Sequence, residues 1–318
     1  MWLNYYMPKK STHYSHPKPD KSKLAILVLL IVFSILMLGS LTRFTQNLFK
    51  PILLGANKVV RWDGNSQLNL VLKTNNISLL SFDPNASTLK IVTIPDEFYV
   101  EVPGHGSWQI RSVYDLGQGE NPPKGAALLE GSVANFVGLP VDGYLEIEGT
   151  RAEALAILRG SPLSAIKKLT QIKTDLTPIE LVKLYSGAFK VRSDKLSLDS
   201  FQSDDLTKVD DFTLHNLFDS KLHQEQLPIA VYNGTNLVGR ASSAARMIAN
   251  LGGNVIIQSN FEVSNIKNSL IFSKNNSYTS KRLQSIFTSD CQNEKICDKL
   301  LNNELYSRAD INVILGDN

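Results

Sequence analysis

Hydrophobic and polar residues alternate with a period of about two over residues 66–103, which is typical of β-strands. The runs are SQLNLVLK, NISLLSFDP, LKIVTIP and FYVEVP. Pro84 and Asn85 separate the second run from the third and predict a turn. A further strand is predicted for YLEIEG, which begins at Tyr144. Residues 66–103 are therefore predicted to be rich in β-strands.

Helical spacing of the hydrophobic residues appears in four later segments. They are GAALLEGSVANFV at residues 125–137, RAEALAILRG at 151–160, PLSAIKKLTQI at 162–172 and TPIELVKLYSGAF at 177–189. In the last segment Thr177 is suited to the N-cap and Pro178 to the first helical position. Strands together with helices predict an α/β domain over residues 66–191.

Residues 192–226 are rich in Asp, Ser, Lys and Gln, and their hydrophobic residues are isolated: Phe201, Phe212 and Leu217. This composition predicts the end of the first domain followed by a linker. From Leu227 onward, strands and helices alternate in LPIAVYNGT, LVGRASSAARMIANLGG, NVIIQSN, NSLIFSK, YTSKRLQSIF and ADINVILGDN. Residues 227–318 are therefore predicted to form a second, small α/β domain.

Residues 24–41 read LAILVLLIVFSILMLGSL and contain no charged residue. At about 1.5 Å per residue, this run spans roughly the hydrocarbon core of a bilayer. It predicts one transmembrane helix, with a basic, disordered tail at 1–23 and a juxtamembrane segment at 42–65. Lysines before the helix favour a cytoplasmic N-terminus, although basic residues also follow it. The domains after it would then be extracytoplasmic.

Charge and cysteine content narrow the function classes. The net charge of +3 is too small to indicate a nucleic-acid partner. Cys291 and Cys297 lie in CQNEKIC, whose spacing does not fit the usual CxxC metal or redox site. Two interpretations stay open for this pair: a disulfide closing a small loop in an oxidising compartment, or two free thiols.

The common catalytic motifs GxSxG, HExxH and the P-loop do not occur, and the five histidines are scattered. Among the acidic pairs, Asp96 and Glu97 stand out because they follow a predicted core strand and Pro95. A carboxylate at the end of such a strand is well placed for a metal or phosphate site. Adjacent residues of an extended chain point to opposite sides, so at most one of them faces a given pocket.

Residues 66–148 resemble the LytR-CpsA-Psr family. The resemblance is carried by LNLVLK, by ISLLSFDPNASTLKIVTIPDEFYVEVPGHGSWQIRSVYDLG and by LLEGSVANFVGLPVDGYLEIE, and TDLTPIELVKLYSGAF resembles a late helix of that domain. Members of the family are membrane-anchored proteins that transfer glycopolymers from polyprenyl-phosphate carriers to the bacterial cell wall. The resemblance thus implies an extracytoplasmic envelope protein whose partners are wall glycopolymers or polyprenyl-linked precursors.

The C-terminal part resembles the LytR C-terminal domain. Its most specific pieces are the turn at Asn233, Gly234 and Thr235, the helix start at Gly239 and Ala241, and the closing Leu315, Gly316 and Asp317. No chemistry is transferred with this resemblance. The implied architecture is an N-terminal transmembrane helix, a LytR-CpsA-Psr-like α/β domain and a small α/β C-terminal domain.

The chain departs from the family at most of the charged motif positions. Lys73-Thr74-Asn75 stands where the family has Arg-x-Asp, and Asp96-Glu97 where it has Arg-Asp. Gln109 and Arg111 stand where the family has Lys and Asn. Phosphoryl transfer needs cations against the phosphates and carboxylates on a divalent metal. Glu97 remains a candidate metal ligand, and Lys73 and Arg111 remain candidates for binding phosphate.

These departures favour an envelope protein that binds wall polymer, a lipid-linked precursor or an assembly partner without catalysis and without a cofactor. The alternative is an active glycopolymer phosphotransferase, which would require Mg²⁺ or Mn²⁺. A third option is a structural protein that only docks other proteins. In an enzyme, a deep apolar groove for a polyprenyl chain is expected beside Lys73, Glu97 and Arg111.

Overall fold

The computed structural model describes residues 61–160, 172–287 and 306–317. The predicted tail at 1–23, the predicted transmembrane segment at 24–41 and most of the juxtamembrane segment lie outside the described residues. So do Cys291, Cys297 and nearly all of the helix predicted at 162–172. Within the described ranges, none of the helices combines the length and the apolar character that crossing a bilayer requires.

The first module is built on a six-stranded mixed sheet with the order β7-β6-β1-β2-β3-β8. Its strands are β1 (Leu68–Lys73), β2 (Ile77–Asp83), β3 (Thr88–Thr93), β6 (Gly143–Ile147), β7 (Ile172–Thr174) and β8 (Leu196–Ser200). A separate hairpin is formed by β4 (Tyr99–Val102) and β5 (Gly106–Gln109). The strands predicted from alternation between 66 and 103 are confirmed.

Four strands of this sheet end at the same edge. β1 runs parallel to β6, β3 runs parallel to β8, and β2 is antiparallel to both β1 and β3. The carboxyl ends of β1, β3, β6 and β8 therefore meet, and such an edge is where ligands bind in many α/β sheets.

Helices cover both faces of the sheet. On one face, α1 (Ile110–Gln118) and α2 (Gly125–Val137) share a core with Val71 and Tyr144. On the other face, α3 (Arg151–Leu158) and α4 (Pro178–Lys190) share a core with Leu72 and Leu145. The predicted Thr177 N-cap and the proline at the first helical position are confirmed, and Glu180 completes a capping box.

Residues 192–226, predicted to end the first domain and then form a linker, are folded throughout. They form a 3-10 turn at Ser193–Lys195, strand β8, and helices α5 (Leu206–Asn216) and α6 (Ser220–Glu225). The isolated hydrophobic residues of this segment are its anchors, since Phe201 and Leu217 are buried and Phe212 packs against the same core. These residues are held in place by contacts with distant parts of the chain, so no local periodicity predicts that the segment is folded.

The second module is a four-stranded sheet with the order β10-β9-β12-β11. Its elements are β9 (Pro228–Asn233), α7 (Arg240–Asn250), β10 (Asn254–Asn260), β11 (Leu270–Ser273), α8 (Tyr278–Ile286) and β12 (Ile311–Leu315). β10, β9 and β12 are parallel, and β11 is antiparallel to β12. The predicted alternation of strands and helices is therefore observed, and the described chain is a mixed α/β protein.

Arg246 and Asn250 of α7 join this module to the first. Their side chains donate to the last-turn carbonyl oxygens of α2 at 2.6, 2.9 and 3.2 Å, the acceptors being Asn135, Phe136 and Val137. Asp210 on α5 accepts from Nε of Arg246 and from Nδ2 of Asn250, both at 2.8 Å. These carbonyls have no partner within the helix, and a cation there also complements the helix dipole.

A second contact between the modules is made by the buried Arg282 of α8. Its Nη2 donates to the carbonyl oxygen of Gln67 at 2.9 Å and lies 3.5 Å from a carboxylate oxygen of Asp142. Its Nε lies 3.8 Å from the carboxylate of Asp219, an ion-pair distance, and Asp219 accepts a hydrogen bond from the hydroxyl of Tyr278 at 2.7 Å. A buried arginine without such partners would be strongly destabilising, so Arg282 requires the first module to be docked.

We expect Gly138→Ala to destabilise the protein more than Gly104→Ala. Both glycines have positive φ, +63 and +78, so alanine is strained at either position. A Cβ at Gly138 would in addition overlap Asn250 and lie 2.9 Å from Cζ of Arg246, whereas nothing lies within 4 Å at Gly104.

The measurement is urea denaturation of both variants beside the wild type. The free energy of unfolding should fall by about 1 kcal/mol for Gly104→Ala and by about 2–4 kcal/mol for Gly138→Ala. Equal losses in the two variants would show that α7 does not press against the end of α2.

Candidate functional site

Lys73, the last residue of β1, lies in an ion pair. Its Nζ is 3.0 Å from Oε1 of Glu146 on the neighbouring strand β6. The hydroxyl of Tyr144 donates to the other carboxylate oxygen of Glu146 at 2.9 Å. The ammonium group also lies 4.7 Å from the ring centre of Tyr114 on α1, which stacks on Tyr144. The positive charge of Lys73 is therefore neutralised and partly covered.

The electrostatics of this cluster favour an ionised Glu146. Burial alone would raise the pKa of Glu146, but hydrogen bonds from Lys73 and Tyr144, with the charges of Lys73 and Lys173, lower it below its ordinary value. Burial and the negative charge of Glu146 raise the pKa of Tyr144, so its hydroxyl stays protonated and donates. The negative charge of Glu146 neutralises that of Lys73, so little positive charge remains to attract a phosphate.

The other residues predicted at the site do not converge on Lys73. Asp96 is half-buried and accepts from Nδ2 of Asn76 at 3.0 Å, while Glu97 is exposed. Gln109 ends β5, and its Oε1 accepts from Nε of the exposed Arg111 at 3.1 Å. Asn75 lies in the β1–β2 turn, where its backbone N–H donates to Gly149.

Among the described residues, the apolar groove expected beside Lys73 is not seen. The space between the sheet and the helices α1 and α2 is filled there by stacked, tilted and edge-on aromatic rings together with aliphatic residues. The ring pairs are Tyr114 with Tyr144 at 5.9 Å, Phe98 with Phe136 at 6.3 Å and Phe136 with Phe201 at 5.5 Å.

A polar cleft of about 330 Å³ lies at the carboxyl ends of the strands. Side chains alternate between the two faces of the sheet, and Ile77 and Val92 lie on the same face as Lys73. Ser78 and Thr93 point to the opposite face, so the cleft lies on the side of the sheet away from Lys73. The described lining consists of hydroxyl, amide and guanidinium groups: Thr74, Asn75, Asn76, Ser78, Thr93, Thr150, Arg151 and Ser200.

Arg151 supplies the positive charge of this cleft, which we call the strand-end cleft. It is the first residue of α3, and its Nη1 donates to Oγ1 of Thr93 at 2.9 Å and to the carbonyl oxygen of Asp199 at 2.7 Å. Among the described residues, no carboxylate forms an ion pair with Arg151. Hydroxyl, amide and guanidinium donors suit a polyhydroxylated or anionic ligand.

The residues present do not fit the divalent metal that the family resemblance implies. Mg²⁺ and Mn²⁺ prefer carboxylate oxygens, but the described lining of the strand-end cleft contains no acidic side chain. Across the described ranges, no group of three or more His, Cys, Asp or Glu side chains is placed to hold a metal ion.

Three residues of this region were missed by sequence reasoning although a signal existed. Tyr144 and Glu146 alternate in YLEIE, and this spacing places both on the face of Lys73. Arg151 follows β6 almost at once, so it falls at the carboxyl edge of a parallel strand, where ligand-binding residues are expected.

No protein-family profile matches the chain, and no curated protein does. Solved structures resemble part of it. TagT from Bacillus subtilis is 16% identical, with 47% of this chain and 86% of that chain covered and a TM-score of 0.33. TagV from Bacillus subtilis is 12% identical, covering 44% and 85%, with a TM-score of 0.35.

A third structure is a LytR-CPS2A-psr family protein, YwtF (TagT), with bound octaprenyl pyrophosphate lipid. It is 16% identical, covers 48% of this chain and 82% of that chain, and has a TM-score of 0.32. Likenesses at these identities and TM-scores assign no activity to this chain.

We expect Glu146→Gln to lower the free energy of unfolding by up to about 1 kcal/mol at neutral pH. Because the pKa of Glu146 is lowered in the folded protein, its contribution is present above the ordinary value of 4.5 and is lost as the pH falls through the lowered pKa. The difference between variant and wild type should therefore vanish in acid.

Urea titrations from neutral to acidic pH measure this difference. The matched control is Glu101→Gln, an exposed position on β4, which should leave the stability unchanged at every pH. A loss in Glu146→Gln that does not vary with pH would contradict an ionised Glu146 beside Lys73.

Proposed function

We propose that this chain is a membrane-anchored envelope protein that binds a cell-wall glycopolymer, or its lipid-linked precursor, without transferring it. In this proposal residues 24–41 are the anchor, residues 66–191 form a LytR-CpsA-Psr-like domain and residues 227–318 a LytR C-terminal-like domain. The soluble domains lie outside the cytoplasm. The sequence resemblance at 66–148 and the uncharged run at 24–41 support this assignment.

The observation that carries the binding function is the composition of the strand-end cleft. Its described lining offers hydroxyl and amide groups and the guanidinium of Arg151, and no carboxylate. Such a surface can hold sugar hydroxyls and a phosphate oxygen. The described residues of the cleft provide no acidic ligands for the metal on which transfer from a pyrophosphate carrier would depend.

The state of Lys73 supports the same conclusion. A phosphotransferase needs free cations against the charge that develops in the transition state. Lys73 is committed to Glu146 at 3.0 Å and faces α1, on the side of the sheet away from the strand-end cleft. The described geometry therefore supplies one cation to the cleft, which is enough for binding.

The test uses the full chain in lipid nanodiscs with a polyprenyl-pyrophosphate-linked glycan and Mg²⁺ or Mn²⁺. We expect binding of the glycan without release of the polyprenyl carrier. Arg151→Gln should weaken binding about tenfold, since it removes a charge-assisted hydrogen bond. The matched control Arg192→Gln changes an arginine whose side chain is 81% exposed and should leave binding unchanged.

Two results would overturn the proposal. Turnover that is abolished by Glu97→Ala would make the chain a phosphotransferase. Failure to bind any glycan or polyprenyl phosphate, with a protein partner recovered instead, would make it a structural docking protein.

A further inference from the structure

A groove of about 690 Å³ lies where the two modules meet, and we call it the intermodule groove. The hairpin β4–β5 and the end of α2 form one side of it, and α7 forms the other. Its volume is within the range of small-molecule sites, about 300–1,000 Å³. It shares no lining residue with the strand-end cleft, so it is a separate candidate site.

Arg240 lines the intermodule groove with a positive charge, and no carboxylate among the described residues pairs with it. Its Nη2 donates to the carbonyl oxygen of Gly316 at 2.9 Å, and its Nε is enclosed by protein atoms. A guanidinium binds phosphate and carboxylate oxygens through charge-assisted hydrogen bonds. Arg240 therefore favours an anionic group in the ligand.

Tyr99 and several hydroxyl groups make the rest of the groove suitable for sugar. Tyr99 projects from β4 and is 57% exposed, so its ring is accessible to a ligand. An aromatic ring packs against the apolar face of a sugar, and Ser107 and Ser243 are placed to bond with sugar hydroxyls. The mixed lining distinguishes this groove from an apolar peptide-docking surface.

Acidic residues in the same groove limit how much negative charge the ligand can carry. Glu101 and Asp204 both belong to the lining, and Arg246 is already paired with Asp210. A ligand with a dense row of phosphates would be repelled by these carboxylates. One anionic group beside Arg240, with uncharged sugar units on either side, matches this distribution of charge.

We propose that the intermodule groove binds an oligosaccharide segment that carries one anionic substituent, phosphate or carboxylate, against Arg240, with a sugar ring packed on Tyr99. The proposal rests on the proposed function in that both concern an envelope glycan, but it names a second site on the chain.

The experiment titrates the full chain in nanodiscs with three oligosaccharides of equal length, using calorimetry. One carries a single phosphate, one a single uronate, and one is uncharged. We expect the anionic probes to bind about tenfold tighter than the uncharged one. A preference for the phosphate or the uronate alone supports the proposal and identifies the anionic group.

Variants assign the binding to the groove. Arg240→Gln should remove the advantage of the anionic probes, and Tyr99→Ala should weaken all three probes about tenfold, while Tyr99→Phe keeps them. Ser243→Glu adds a negative charge at an exposed helix position and should weaken the anionic probes more than the uncharged one. Arg240 also donates to Gly316, so Arg240→Gln could fold poorly, which circular dichroism would show. In that case Ser243→Glu still tests the proposal.

Two outcomes separate this inference from the proposed function. If Arg151→Gln abolishes binding while Arg240→Gln, Tyr99→Ala and Ser243→Glu leave it intact, the groove proposal is overturned and the strand-end cleft stands as the glycan site. If the wild type binds none of the three probes but does bind the lipid-linked glycan, the groove proposal is likewise overturned and the proposed function survives.

Discussion

The guanidinium of Arg246, shared between Asp210 and the last turn of α2, is the contact on which the arrangement of the two modules depends. It satisfies carbonyl oxygens that the helix itself cannot satisfy, and it places a cation at the negative end of the helix dipole. Asn250, which is 4% exposed, extends the same contact to Val137. Gly138 allows both side chains to approach because it has no Cβ. The second module is therefore docked through polar groups with specific geometry.

The functional surfaces follow from this docking and from the sheet. The parallel strands bring polar ends together and create the strand-end cleft around Arg151, while the ion pair of Lys73 with Glu146 closes the opposite face. The intermodule groove exists only where α7 stands against α2, so both modules contribute to it. The two proposals place a glycan at both of these surfaces.

The sequence predicted most of the secondary structure because local periodicity and capping determined it. Helix α2 has the predicted bounds 125–137, and the predicted Thr177 cap is present. The folding of residues 192–226 could not be predicted, since the partners of Phe201 and Leu217 lie far away in sequence. The partner of Lys73 is separated from it by 73 residues, so only the alternation in YLEIE could have suggested Glu146. The intermodule groove depends on contacts between modules, which a single sequence does not reveal.

The affinity of Asn250→Ala for the singly phosphorylated oligosaccharide is the most direct test of this account. Asn250 does not line the intermodule groove, yet it holds α7 against α2, so its removal should misplace Arg240 relative to Tyr99. We expect binding to weaken about five- to tenfold, with the secondary structure unchanged by circular dichroism. An affinity equal to that of the wild type would contradict a glycan site assembled by the docking of the two modules.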